Sequence, residues 1–220
     1  MSTSTVVRRA PGRPRDQGLP QRRKTEILNT AVLMFARFGY PNTDLQRVAD
    51  ELGVGKGTLY RYFSSKEELF LAAVRRGVDE LFGYIDSRVE VAQDALERLR
   101  VAVAAYIEFF QQHSELAELF VQERAEFRQS RLPVFFEARS ERRVKWEKVL
   151  HRLIAERRVR KVPVARVLDV LSNTLYGTMF TNHFLGDHRP VQAQADDIID
   201  VLFHGILQGS DGAGQGGERT

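Results

Sequence analysis

The sequence predicts an all-α protein, with an N-terminal three-helix helix-turn-helix head followed by a larger helical body. Three observations lead there. Apolar residues recur at helical spacing through most of the chain, no stretch alternates with period two, and caps bracket the periodic segments. The chain has 220 residues, of which 43% are hydrophobic and 28% charged, the composition of an ordinary globular protein. That length suits one or two domains. No apolar run approaches the roughly 20 residues needed to span a bilayer, so a membrane protein is not expected. The stretch between Val170 and Gly186 carries no Asp, Glu, Lys or Arg but is too short, and it reads as a helix buried in protein. There is no cysteine, which excludes disulfides, thiolate zinc sites and a cysteine nucleophile together. With no apolar secretory signal, a cytoplasmic location is expected.

The elements follow in order. Residues 1–20 are rich in Pro, Gly, Arg and Ser without an apolar period, and read as a disordered basic arm. A first helix begins at Thr25, with Ile27, Leu28, Ala31, Phe35 and Phe38 on one face; Gly39 caps it and Pro41 stops it. Thr43 and Gln46 form a capping box for a short second helix, which ends at Gly53. A third short helix runs over about residues 55–63. Ser64 and Ser65 with Glu67 and Glu68 cap a fourth, starting near Lys66. Further helical segments are expected at about 67–85, 94–112, 114–130, 133–159, 163–185 and 190–208. The five glycines of the last twelve residues predict a floppy tail. The domain expectation is therefore an arm over 1–20, a small helical head over 21–66, a larger helical body over 67–208, and a tail over 209–220.

Charge is unevenly placed. Residues 1–24 hold seven cations and one acid, Asp16, for +6, so with a total of +4 the other 196 residues sum to −2. A basic arm on a near-neutral body suggests a polyanion at that end. A plain solubilising tail would look the same.

The stretch Leu45–Ser64 carries the chemistry. Val48, Leu52, Val54, Leu59 and Tyr62 are its apolar positions, Ala49 is small where two helices cross, and Gly53 stands at the turn, where φ must be positive. These are the needs of two short helices locked at a steep angle with the second projecting outward. On that second helix Lys56, Thr58, Tyr60, Arg61 and Tyr62 offer donors, a hydroxyl, aromatic surface and positive charge, and no acid occurs between Glu51 and Glu67. Ordinary solvated helices mix Glu and Asp among their Lys. A Gly-containing, acid-free helix start also favours an anion.

The segment Thr43–Leu69, TDLQRVADELGVGKGTLYRYFSSKEEL, resembles the DNA-binding domain of the TetR (tetracycline-repressor-like) family, and GVGKGTLYRYFSSKEEL at Gly53–Leu69 is similar to that family's signature. The resemblance covers about residues 22–70, and departs from many members at Gly55, where they have Ser. It implies a homodimeric transcriptional repressor acting on double-stranded DNA. It also implies that Gln46, Lys56, Gly57, Thr58, Tyr60 and Arg61 lie near base edges, that Thr43, Tyr62 and Lys66 hold phosphates, and that Arg47 is a further phosphate contact. The residue types agree: Gln and Arg pair bidentately with adenine and guanine, Gly57 lets backbone near the groove floor, and Tyr60 offers surface to a thymine methyl. Within the arm, Pro11-Gly12-Arg13-Pro14-Arg15 resembles an AT-hook core, which would lay Arg13 and Arg15 in an A·T minor groove.

The body is less explicit. Aromatics crowd residues 94–186 and, by the same resemblance, would line a pocket for an unknown small apolar effector. Each also suits plain core packing. Tyr106, Phe110, His113, Trp146, Asn173, Tyr176 and Phe180 are the effector candidates, with His183 a further polar group. The five histidines fit no metal spacing, no nucleophile–base pair stands out, and neither a metal nor another cofactor is expected. The last two helices carry Val167, Leu168, Leu171, Leu175, Met179 and Phe180, then Ile198, Ile199, Leu202, Phe203 and Ile206. This is enough apolar surface to suggest that they form the homodimer interface. A ligand-responsive repressor of a palindromic operator is the leading reading. An activator, or a DNA binder without effector, is the first rival; a small helical enzyme is the second and lacks a catalytic constellation.

Overall fold

The computed structural model of the chain describes residues 19–127, 132–186 and 189–205. The described residues form nine helices: α1 (Leu19–Asn42), α2 (Leu45–Glu51), α3 (Lys56–Tyr60), α4 (Lys66–Glu90), α5 (Ala95–Gln112), α6 (Ser114–Glu126), α7 (Val134–Ala155), α8 (Val164–Leu185) and α9 (Val191–His204). No strand occurs among them, and none of these helices is long and apolar enough to cross a membrane. The arm residues Arg13 and Arg15, and Ile206 of the expected interface, lie outside the described residues.

Several boundaries differ from expectation: α4 runs on to Glu90, and α6, α7 and α9 end about four residues early. Helix α1 starts at Leu19, six residues before Thr25. Arg and Lys are good helix formers, and the added turn is exposed except for a half-buried Arg23, so no apolar period marked it. Helix α3 is only five residues long and passes into a turn at Arg61–Tyr62, where the N–H groups of Tyr62 and Phe63 both reach Leu59 O at 2.9 Å.

The cap of α2 is a correction. Asp44, not Thr43, is the N-cap: it is extended (φ −128°) and its carboxylate accepts from the Arg47 N–H at 2.8 Å. Thr43 is fully buried and its hydroxyl donates to Met34 O at 3.3 Å, so the chain turned one residue later than the capping box implied. The cap of α4 forms as expected. Ser65 Oγ accepts from the Glu68 N–H, and the Glu68 carboxylate returns to the Ser64 N–H at 2.7 Å. The Ser64 hydroxyl and N–H hold the Glu68 carboxyl below its ordinary range.

Helices α1–α3 close over Ile27, Ala31, Phe35, Val48, Ala49 and Leu59, all fully buried. Each large one contributes about 1.5–3 kcal/mol by leaving water. Gly53, at φ 64°, makes the α2–α3 turn, where Val54 N–H reaches Ala49 O at 2.9 Å. This core continues along α4 into α5, α6 and α7. A second core joins α5, α7, α8 and α9 around Leu99, Val103, Leu150, Leu153, Leu168 and Ile199. Helix α4 thus begins against the head and ends inside the body.

Candidate nucleic-acid interface and ligand cavity

Because Leu59 points into the head core, the neighbouring positions of α3 must point out. Lys56, Gly57, Tyr60 and Arg61 are exposed, and Thr58 and Tyr62 are half-buried. Neither Lys56 nor Arg61 has a carboxylate partner among the described residues; Lys56 Nζ lies 5.6 Å from the Tyr60 ring centre and the Arg61 guanidinium 5.4 Å from that of Tyr62. Stacking on aromatic faces holds both cations extended without neutralising them. Open space surrounds Gly57, where an added side chain would meet nothing.

The flanking residues divide. Gln46 is exposed on α2, and its amide donates to Asp50 at 2.6 Å. Arg47 lies flat on Phe38, 3.6 Å from the ring centre, and donates to Asn42 O. Lys66 is half-buried: its ammonium donates to the carbonyls of Tyr40 (2.9 Å) and Pro41 (3.3 Å), so it secures the end of α1 to the start of α4. Thr43 is the clear departure, because a fully buried hydroxyl that donates to Met34 O has no face for a phosphate.

Head and body meet along one seam. Phe35, Tyr40, Phe70 and Phe127 interlock, with ring centres 5.0–6.0 Å apart. Buried Gln122 of α6 reaches across to donate to Phe35 O of α1 at 2.9 Å. Beside this seam α4 and α6 come so close that a Cβ on Gly77 would lie 2.2 Å from a Leu116 methyl.

A cavity of about 100 Å³ sits among α4, α5, α7 and α8. Phe82, Leu99, Val103, Phe135, Leu171 and Leu175 supply apolar wall, while Asp86, Arg139, Arg142, Lys145 and Ser172 supply polar atoms. Two effector candidates, Tyr106 and Trp146, line it. Tyr106 is buried: burial raises its phenol above the ordinary range, and its hydroxyl meets the Met179 sulfur at 3.9 Å. The other five candidates lie elsewhere. Phe110 faces a neighbouring hollow with Met179 and His183, and His113 caps the end of α5 beside Glu115. Tyr176 stacks behind Phe135 and raises Phe180 edge-on at 4.8 Å. Asn173 is exposed on the outer side of α8, one helical step from the inward-facing Ser172.

Phe82, Asp86, Arg139 and Arg142 were not anticipated. A signal existed on α7: Phe135, Arg139, Arg142 and Trp146 fall at i, i+4, i+7 and i+11, so two arginines share the aromatic face. Asp86 pairs with Lys145, and Arg142 lies over Phe82 at 4.4 Å.

The apolar residues that suggested an interface on α8 and α9 divide. Leu168, Leu171, Met179 and Ile199 are buried within the chain, whereas Val167, Leu175, Phe180, Ile198, Leu202 and Phe203 stay half-buried. The large apolar side chains most open on the two helices are Val170, Phe184, Leu185 and Val201, 49–76% exposed. Composition cannot separate these faces, because both sides of α8 carry small or apolar residues.

A helix-turn-helix head whose Lys56 and Arg61 lack carboxylate partners among the described residues, joined through one long helix to a body with an apolar-walled cavity, is the arrangement of an all-helical DNA-binding transcriptional regulator. Residues 27–73 match the family described as bacterial regulatory proteins, tetR family. The chain is 37% identical over 118 residues to the HTH-type transcriptional activator FasR of Mycolicibacterium smegmatis, a match covering 51% of this chain and 54% of that one. It is 33% identical over 140 residues to the HTH-type transcriptional repressor KstR2 of the same organism, covering 62% and 67% respectively. This chain therefore spans about half the length of FasR and two thirds of that of KstR2. The fold is shared with FadR of Bacillus subtilis, solved in complex with stearoyl-CoA, at a TM-score of 0.71 and 20% identity over 83% of this chain and 99% of that one. The chain belongs to the TetR family of transcriptional regulators.

Proposed function

We propose that this regulator is a cytoplasmic homodimeric repressor that α3 places on a palindromic operator and that a small ligand in the α4–α5–α7–α8 cavity releases. The observation that carries the reading is the continuity of α4. Lys66, at its first residue, holds the end of α1, and Phe82, Ile85 and Asp86, four to six turns later, line the cavity. A ligand that shifts the far end of α4 must move or strain the head, because Gln122 and the Phe35–Tyr40–Phe70–Phe127 cluster leave little slack. On this reading residues 21–66 bind DNA and residues 67–208 bind effector and dimerise, with the arm of residues 1–20 adding phosphate or minor-groove contacts. Lys56, Gly57, Thr58, Tyr60 and Arg61 read bases, with Gln46 beside them; Arg47 and Tyr62 hold backbone, and Lys66 acts by positioning. The two subunits pair through the open faces of α8 and α9.

An activator is the second reading, favoured by the 37% identity to FasR, an activator by name. The test of the first reading is footprinting of the purified chain on DNA upstream of its own gene, with a reporter on the same promoter. A protected inverted repeat and a reporter that rises when the gene is deleted support repression. A reporter that falls on deletion supports activation, and an unprotected, sequence-indifferent ladder refutes operator binding.

A further inference from the structure

Resting on the reading of this cavity as the effector site, we infer that the effector is an amphipathic carboxylate: an apolar body of modest size with one acid group held by Arg139. Four observations converge.

One terminal nitrogen of the Arg139 guanidinium, Nη1, is shut away from solvent and has no hydrogen-bond partner among the described residues. Buried charged donors are ordinarily satisfied, because leaving one unmade costs far more than an average hydrogen bond stabilises. Arg139 is half-buried and lines the cavity, so a small turn of its guanidinium would present this donor to a guest.

Charge agrees in sign. Among the cavity residues Lys145 is matched by Asp86, but Arg139 and Arg142 have no carboxylate partner among the described residues and rest on Phe136 and Phe82. The nearest acid on α8, Asp169, is already bound by Arg143 at 2.7 Å. The cavity lining therefore carries surplus positive charge, which favours an anionic guest over a neutral one. A guanidinium fork pairs bidentately with a carboxylate.

Shape agrees in kind. Phe82, Ile85, Leu99, Val103, Leu168 and Leu171 form a wall with no hydrogen-bonding side-chain atoms, suited to an alkyl chain or an aryl ring. Volume then bounds the size. At about 100 Å³ the space holds on the order of ten non-hydrogen atoms, judged against the 10–15 Å³ one water requires. Octanoate has that many. A long-chain acyl group would need the four helices to part.

The test is calorimetric titration of the full-length chain with octanoate and with 1-octanol, which shares the tail and lacks the acid. The wild type should bind octanoate more tightly than octanol. Arg139→Met should weaken octanoate by about ten- to a hundredfold, the range of a hydrogen bond to a charged group, and leave octanol unchanged. Arg139→Lys, which keeps the charge but loses the fork, should fall between. Without ligand, Arg139→Met should melt no lower than the wild type, since it removes an uncompensated buried donor; a marked fall would mean Arg139 is there for folding and would overturn the inference. Equal binding of octanoate and octanol, octanoate affinity indifferent to Arg139, or binding of neither would also overturn it. The regulatory reading is scored separately on operator DNA. Arg139-dependent octanoate binding that leaves operator affinity unchanged keeps this inference and defeats release. Operator release by a neutral compound alone keeps release and defeats this inference.

Discussion

Replacing Gly77 by Ala probes the closest approach between the helix that joins head to cavity and its neighbour. In an open helix the change should stabilise by about 1 kcal/mol, the propensity difference between Gly and Ala. Here the new methyl would sit 2.2 Å from Leu116 Cδ2, 3.0 Å from Cδ1 and 3.1 Å from Cγ. Leu116 is itself 3% exposed, so its branch has packed neighbours wherever it turns. Overpacking of this kind costs about 1–3 kcal/mol, which offsets or exceeds the helix gain. Gly77→Ala should therefore be neutral to destabilising by about 2 kcal/mol. Leu116→Ala removes the obstruction, at its own cost of about 2–5 kcal/mol for a buried Leu. In that background Gly77→Ala should change sign and stabilise by the full propensity difference. Urea unfolding of the four proteins at one protomer concentration measures the cycle. A stabilising Gly77→Ala in the wild type, or additivity of the two changes, would refute the packing account of this crossing.

Lys56→Ala and Arg61→Ala should each weaken operator binding by about 1–3 kcal/mol per half-site while circular dichroism stays native, as measured by fluorescence anisotropy. Thr43→Val should lower folding stability by about 1 kcal/mol through loss of the bond to Met34 O, and leave the slope of log K against log salt unchanged, because its hydroxyl faces no phosphate. Asp94 caps α5 and is held down to about 2, first by its bond from Arg158 and then by the Glu97 N–H. Its contribution is complete above about pH 4, the unfolded range of an aspartate, and disappears as pH falls towards 2. Asp94→Asn keeps a capping oxygen, so acid unfolding curves should lose that part of their pH dependence and little else.

The head was readable because its signals are local. Ala49, Gly53 and Leu59 lie within eleven residues of each other, and helix caps depend on neighbours three or four places away. Even there the choice between Thr43 and Asp44 as cap depended on a distant carbonyl, that of Met34 on another helix. The cavity is assembled from α4, α5, α7 and α8, so no single window of sequence contains it. An abundance of aromatics pointed to a pocket. Yet Phe127 joins the head–body seam, and Phe110, Tyr176 and Phe180 pack beside the cavity without lining it. The arginines that share a face with Phe135 and Trp146 carry the clearer signal, which the sequence reading missed, since a cation on an apolar helical stripe demands an explanation that a phenyl ring does not. The outer face of α8 was unreadable for the opposite reason: Gly177, Thr174 and Asn173 look like neither core nor ordinary surface.

The central claim is that occupancy of the cavity and operator binding oppose one another through α4. The direct measurement is the dissociation constant of the full-length chain from its footprinted operator, at fixed salt, with and without saturating octanoate. Coupling between sites is typically worth about 1–3 kcal/mol, so the account predicts operator affinity at least fivefold weaker with ligand, and octanoate affinity weaker by the same factor on operator-bound protein. Octanoate bound in the cavity with operator affinity unchanged would contradict it.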